Sequence, residues 1–216
     1  IKNYKNFNFT PKIITKEIEK IRENLFFNIK INKKYKKNFK ILHITNFNER
    51  HNGRLHYNTG RRINNGFIRN NHTVYSLSDR DITHNSKSLI DVQGIKTLNR
   101  RILDVVPIFK PDLIMLGHAD NVKEETLNNI KEKNKNIRFG QWFLDPVSKS
   151  GPDYNKNKDR LLSKSKHANC SFITTSPDVL DFNIENSHFI PNPSDSSFET
   201  LDNYKKDQPF DLLFAM

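Results

Sequence analysis

Two short segments of this chain carry side chains suited to proton transfer. Gly117-His118-Ala119-Asp120 sets an imidazole and a carboxylate at the end of an apolar run, and Phe143-Leu144-Asp145-Pro146 sets a second carboxylate at the end of another. A histidine that titrates near neutral pH suits removal of a proton from a hydroxyl, so His118 reads as a general base or a ligand for an acceptor hydroxyl. Pro146 holds the backbone of Asp145 extended, which should project its carboxylate beyond the strand end. Asp145 is therefore the preferred catalytic or acceptor-orienting carboxylate. The plainer reading of the first pair is an N-cap by Asp120 and a structurally bonded His118.

A third segment is suited to holding an anion or a sugar. The loop after the first apolar run contains Asn52-Gly53-Arg54 and reaches Tyr57 before a helical pattern carrying Arg61 and Arg62. Gly53 permits a tight turn or positive φ, and the arginines offer fork-shaped donors. Arg61 and Arg62 read equally well as a solvated helix face. After the second run come Ser78, Asp79, Arg80 and Asp81, where the acids flanking Arg80 suit either substrate contact or a local ion pair and turn. Ser176 follows the fifth run. The substrate-binding set is accordingly Asn52, Gly53, Arg54, Tyr57, Asp79, Arg80, Asp120 and Ser176. The glycines of a Gly-x-Gly-x-x-Gly dinucleotide fingerprint are missing, which disfavours a nicotinamide dehydrogenase. No Cys/His cluster or carboxylate spacing suggests a metal site, so neither a metal nor a permanently bound cofactor is expected.

Groups so far apart in sequence can meet only if the elements bearing them run the same way. Apolar runs at 39–45, 72–77, 112–117, 137–144, 170–175 and 188–190 read as strands. Helical patterns at 57–70, 95–109, 123–133 and 157–167, and a short helix from Pro177, separate them. Short connections between alternating strands and helices imply right-handed crossovers and a parallel sheet covered on both faces. The expected fold class is α/β, a Rossmann-like doubly wound parallel sheet preceded by an amphipathic helix. In such a sheet, ligands bind beyond the carboxyl ends of the strands, where all the groups named above should converge.

With 35% hydrophobic residues, 16 of them Phe, the 216-residue chain can bury a core. Its net charge of +12 is unevenly spread: residues 1–40 hold 12 bases and 3 acids, leaving 24 bases and 21 acids for the rest. A nucleic-acid surface would carry its basicity on the body, so no nucleic acid is expected as a partner. The basic segment follows Thr10-Pro11 with Ile14, Ile18, Ile21, Leu25 and Ile29 at helical spacing. It is expected to pack on the body; the alternative is peripheral contact of residues 11–38 with an anionic membrane. The lone Cys170 lies in an apolar run and fits a buried thiol in a cytoplasmic, reducing setting. No apolar run approaches the ~18 residues of a membrane span. The first residue is Ile1 and the last residues, from Phe210, read as a strand beginning, so the chain is expected to be a fragment. The expected division is a leader over 1–38, a Rossmann-like domain over 39–195, and a linker with the first strand of a second domain over 196–216.

The segment from Lys40 to Asp195 resembles the amino-terminal domain of GT-B-fold glycosyltransferases, of the group-1 type and the related CgeB-like proteins. The resemblance rests on Lys110-Pro111-Asp112-Leu113-Ile114 with Gly117-His118-Ala119-Asp120, on Phe143-Leu144-Asp145, on Thr174-Thr175-Ser176-Pro177-Asp178-Val179-Leu180, and on Phe189-Ile190-Pro191-Asn192-Pro193-Ser194-Asp195. Leu144 stands where many members carry His, and Pro193 where they carry Gly. The resemblance implies a hexosyltransferase that moves a sugar from a nucleotide-sugar donor to a hydroxyl acceptor, a glycan or a lipid-linked molecule, without a required metal. It further implies that this domain is the acceptor-side half, inactive alone, with the Asn52–Arg54 loop facing a cleft toward the donor. The alternative from another class is a non-catalytic α/β binding module whose basic leader contacts membrane or nucleic acid.

Overall fold

The computed structural model describes residues 38–199. The helix expected in the leader and the strand expected from Phe210 lie outside the described residues. Six strands, β1 (Lys40–Thr45), β2 (Thr73–Ser78), β3 (Leu113–Gly117), β4 (Arg138–Phe143), β5 (Cys170–Ile173) and β6 (Ser187–Phe189), form one sheet in the order β2-β1-β3-β4-β5-β6. Every pairing is parallel. The expected doubly wound α/β architecture is therefore present, with uniform strand polarity through its middle.

Uniform polarity follows from the connections. Helices α1 (Thr59–Arg69), α2 (Asp79–Asn85), α3 (Ile95–Phe109), α4 (Glu124–Lys133) and α5 (Tyr154–Ser165) occupy the crossovers, with 3-10 turns at Glu49–His51 and Pro177–Val179. The inner strands β1, β3 and β4 are buried at every position after their first, as strands covered on both faces must be. One face carries Leu42, Ile44, Ile114, Leu116 and Phe139 against Leu98, Ile102 and Val106 of α3 and Leu127 and Ile130 of α4. Farther along that face Phe143 and Ile173 meet Leu161 of α5. The other face carries Ile41, Met115 and Trp142 against Ile63 and Phe67 of α1. Among the described residues no helix is long and apolar enough to cross a membrane.

One expected turn is a helix. Asp79 and Asp81 lie in the first turn of α2, so the pair that read as turn formers starts a helix.

Candidate functional site

The chain passes from β1 outward to β2 and then back across β1 to β3, so the connections leaving β1 and β3 diverge. A crevice opens at such a switch point, beyond the carboxyl ends of the strands. Here it is a cleft of about 250 Å³. Thr45 and Asn46 at the end of β1 and Asn58, Thr59 and Gly60 at the start of α1 form one wall. His118, Trp142, Leu144 and Asp145, at the ends of β3 and β4, form the other, with Arg80 between them.

Glycine at the last position of β3 sets the floor. A Cβ on Gly117 would stand 2.1 Å from Cζ2 of Trp142, so the indole lies where a side chain would otherwise be. The Trp142 Nε1–H donates to Nε2 of His43 at 3.0 Å. His43 therefore carries its proton on Nδ1, which faces Oδ1 of Asn64 at 3.1 Å, and Ser76 Oγ donates to the same oxygen at 2.9 Å. Burial lowers the His43 pKa to about 4, against the opposing pull of the Asn64 hydrogen bond. His43 is thus a neutral, fully partnered core residue that fixes the wall of the cleft.

Immediately after Gly117 the chain turns sharply. His118 and Ala119 have φ of 58° and 25°, and the Ala119 N–H reaches back to the Gly117 carbonyl at 2.7 Å. A three-residue turn with positive φ at a non-glycine centre is strained, and such strain concentrates at functional sites. The turn lays the His118 ring flat on Phe143, centroids 4.6 Å apart and planes 12° from parallel. It also brings His118 Nδ1 to 3.6 Å from Asp145 Oδ2.

The hub of the cluster is Arg160 of α5. Its Nη1 donates to Asp145 Oδ2 at 2.6 Å, and its Nε and Nη2 donate to the two oxygens of Asp120 at 3.0 and 2.9 Å. The same Nη2 lies 2.9 Å from His118 Nδ1, and Arg80 Nη2 adds a second donor to Asp120 at 3.0 Å. Burial would raise the Asp120 carboxyl, but the Arg160 guanidinium overrides it and holds the group below its usual range. Burial also pushes the His118 imidazole down, opposed by Asp145 and reinforced by Arg160. The Leu144 N–H points at His118 Nε2 from 3.3 Å. A neutral imidazole has one lone pair, and donors already face both nitrogens. His118 consequently has no spare acceptor for a substrate proton, and the group that holds Asp145 is Arg160. Among the described residues the Asp145 Oδ1 has no hydrogen bond, and it is the oxygen open to a ligand.

The structure gathers His118, Asp120, Asp145 and Arg80 as expected, and it places the other expected residues elsewhere. Asn52, Gly53 and Arg54 are exposed in the turns after Glu49–His51 and do not line the cleft. That loop is tied down by Asp81, whose carboxylate accepts the N–H groups of Glu49 and Arg50 at 2.9 and 3.3 Å. Tyr57 is 62% exposed and meets Phe198 edge-on at 5.0 Å. Ser176 precedes the 3-10 turn after β5, also away from the cleft. Asp79 lies behind the cleft wall at 1% exposure, and neither of its oxygens has a hydrogen-bond partner among the described residues. Burial raises its pKa to about 6, tempered by the adjoining Arg80.

That wall of the cleft is built instead by residues the sequence did not single out. Asn58 caps α1 by accepting the Arg61 N–H at 3.0 Å. This leaves the Thr59 and Gly60 N–H groups without partners among the described residues, at the cleft wall. A Cβ on Gly60 would stand 2.8 Å from Thr45 Cγ2, so glycine lets the start of α1 close onto the end of β1. Arg160 had one visible signal: with Asn157 three residues before it, it falls on one face of a helix that starts at the carboxyl edge of the sheet.

Compared with known proteins, the chain matches no family model, no curated protein and no solved structure. The chemistry of the cleft must be read from its own atoms. A helix start and Arg80 favour negative charge on one side, and a carboxylate with one open oxygen stands opposite. Among the described residues no group of three or more His, Cys, Asp or Glu side chains is arranged to hold a metal ion.

Proposed function

We propose that residues 39–195 are the acceptor-side domain of a glycosyltransferase that moves a sugar from a nucleotide-sugar donor to a hydroxyl. The observation that carries this reading is the meeting of Gly117-His118-Ala119-Asp120 and Phe143-Leu144-Asp145 on one rim, with His118 Nδ1 3.6 Å from Asp145 Oδ2. Those two segments also carry part of the resemblance to GT-B enzymes, and they flank a cleft at the switch point of an all-parallel sheet.

Arg160 fixes Asp145 through Oδ2 and leaves Oδ1 to accept the hydrogen of an acceptor hydroxyl. As the hydroxyl oxygen bonds to the anomeric carbon of the donor, the bond from that carbon to the donor phosphate breaks. The proton passes to Asp145, and the nucleotide leaves with the bonding electron pair. The departing phosphate gains negative charge that the Thr59 and Gly60 amides and Arg80 are placed to meet. The remainder of the donor belongs, on this reading, to a second domain of the intact protein.

The test is transfer by the intact protein from a panel of UDP-, GDP- and ADP-sugars to saccharide and lipid-linked acceptors, followed by mass spectrometry. Asp145→Asn should lower turnover by roughly 10²- to 10⁴-fold, the range for a positioned general base, with an unchanged melting temperature. Failure to consume any donor, or wild-type turnover in the variant, overturns the proposal.

A further inference from the structure

Between α2 and α3 the chain holds three aliphatic side chains out in solvent: Leu89 is 100% exposed, Ile90 87% and Val92 73%. The loop is pinned from within by the residue among them. Asp91 is buried, and its two carboxylate oxygens accept the Lys96 and Thr97 N–H groups at 3.3 and 2.8 Å, capping α3. Its carbonyl accepts from Ser88 and Gly94, and its own N–H donates to Ser88 Oγ at 3.1 Å. With Asp91 fixed inward, its neighbours must point outward. Gly94, at φ 69°, packs against the Thr83 carbonyl and returns the chain to α3.

The chain on either side of this apolar tip is cationic. Lys87, Lys96, Arg100 and Arg101 are exposed and make no ion pair among the described residues. Asp91 is the one acid between residues 86 and 101, and it is buried in the cap. Asp104, a turn farther along α3, pairs with neither arginine. The tip also stands at the carboxyl edge of the sheet, since Asn121, just beyond β3, bonds Thr83 of α2 and Asn99 of α3.

We propose that the Ser88–Val92 loop is a membrane-insertion tip that buries Leu89, Ile90 and Val92 in the interface of an anionic bilayer, with Lys87, Lys96 and Arg100 on the headgroups. Protruding aliphatics flanked along the chain by cations without ion pairs match a surface that is apolar beneath and negative above. The basic leader is a poor occupant, because residues 1–40 carry 12 bases and 3 acids and would be repelled by the same cations. The proposal is independent of the transferase reading, though it would bring the cleft to the bilayer surface.

The test places an environment-sensitive NBD label on the loop of the full chain through Val92→Cys. Cys170 is fully buried, with burial pushing its thiol up to about 12, and will not compete for the label. Vesicles of phosphatidylcholine with phosphatidylglycerol should shift the emission to the blue, and phosphatidylcholine alone should do so far more weakly. The same label at Lys135→Cys, in the exposed turn before β4 at the opposite edge, should not respond. Adding Lys87→Gln and Lys96→Gln should raise the lipid concentration at mid-transition about 25-fold, from roughly fivefold per charge. Adding Leu89→Ser and Ile90→Ser should raise it at least about tenfold without changing the melting temperature. No shift at position 92, an equal shift at position 135, or a shift that grows with protein concentration without lipid, the mark of a second copy on the loop, overturns the proposal.

Discussion

His43 should make this domain acid-labile in a pH window set by one buried imidazole. It is 0% exposed, accepts the Trp142 indole N–H, and faces Asn64 with its protonated nitrogen, so the folded state has no place for a second proton. The unfolded chain binds that proton near pH 6.5, and burial delays binding in the folded state to about pH 4. The folded-state pKa is depressed, so the unfolded state binds more protons throughout the window and stability falls as pH falls. The stabilisation is fully present above about 6.5 and is lost on the way down to about 4. A shift of this size corresponds to about 3 kcal/mol, of which about 2 kcal/mol should be gone by pH 5.

The perturbation that isolates this contribution is His43→Gln, which retains an acceptor for Trp142 and a donor for Asn64 but cannot titrate. Urea unfolding of both proteins at pH 7.5, 5.0 and 4.0 gives the measurement. The stability difference between wild type and variant at any one pH contains the repacking cost of the substitution. The change in that difference with pH contains only His43, because His72, His118 and His167, also lowered by burial, titrate alike in both proteins. That change should be about 2 kcal/mol between pH 7.5 and 5.0 and about 3 kcal/mol by pH 4.0. A value under about 1 kcal/mol would mean that water or a local opening reaches the imidazole, and the account of His43 as a dry, neutral strut for Trp142 would be wrong.

Asp79 should behave in the opposite sense. Its folded pKa is raised from 3.8 to about 6, so the stability it contributes is present below about 3.8 and lost as pH rises through 6; in urea unfolding, Asp79→Asn should therefore gain about 2 kcal/mol relative to wild type between pH 4 and 7.5, whatever the amide's own unmet hydrogen bonds cost at both. Gly117→Ala should displace the indole 2.1 Å from the new Cβ, destabilise the domain by about 1–3 kcal/mol and red-shift the emission of the chain's single tryptophan; an unshifted spectrum would show that Trp142 does not lie across β3.

The fold was legible because parallel strands buried on both faces must be apolar throughout, and runs such as Leu-Ile-Met-Leu at 113–116 have no polar alternation to confuse them. Helix α3 was legible to the residue from Leu98, Ile102 and Val105 at helical spacing, although the valine buried in the core is Val106 and Val105 is only partly buried. Helix α2 was not, because seven residues with buried Asp79, Asp81 and Thr83 present no apolar face; it is held by Asp81 and by the packing of Gly94. The cluster around Asp145 was legible in its strand-end members, whose position follows from topology. Arg160 was not, because a helical residue's neighbours depend on how the helix is rotated, which only the packing of Leu161 fixes.

The two glycines that bracket the β1–α1 loop show where such reading fails. Gly53 sits beside asparagine and arginine and reads as an anion turn, yet its φ of 86° and that of Asn52, 50°, serve only to reverse the chain on the surface. Gly60 lies inside a helix, where glycine is merely unfavourable by propensity, yet it sets how closely α1 approaches β1. The two needs, backbone freedom and absence of a side chain, are met by the same residue and leave the same letter in the sequence. They separate only when the neighbouring strand is in place: nothing lies within 4 Å of a Cβ on Gly53, while one on Gly60 would meet Thr45 Cγ2, Asn58 Oδ1 and the Asn46 carbonyl, the atoms that bound the cleft.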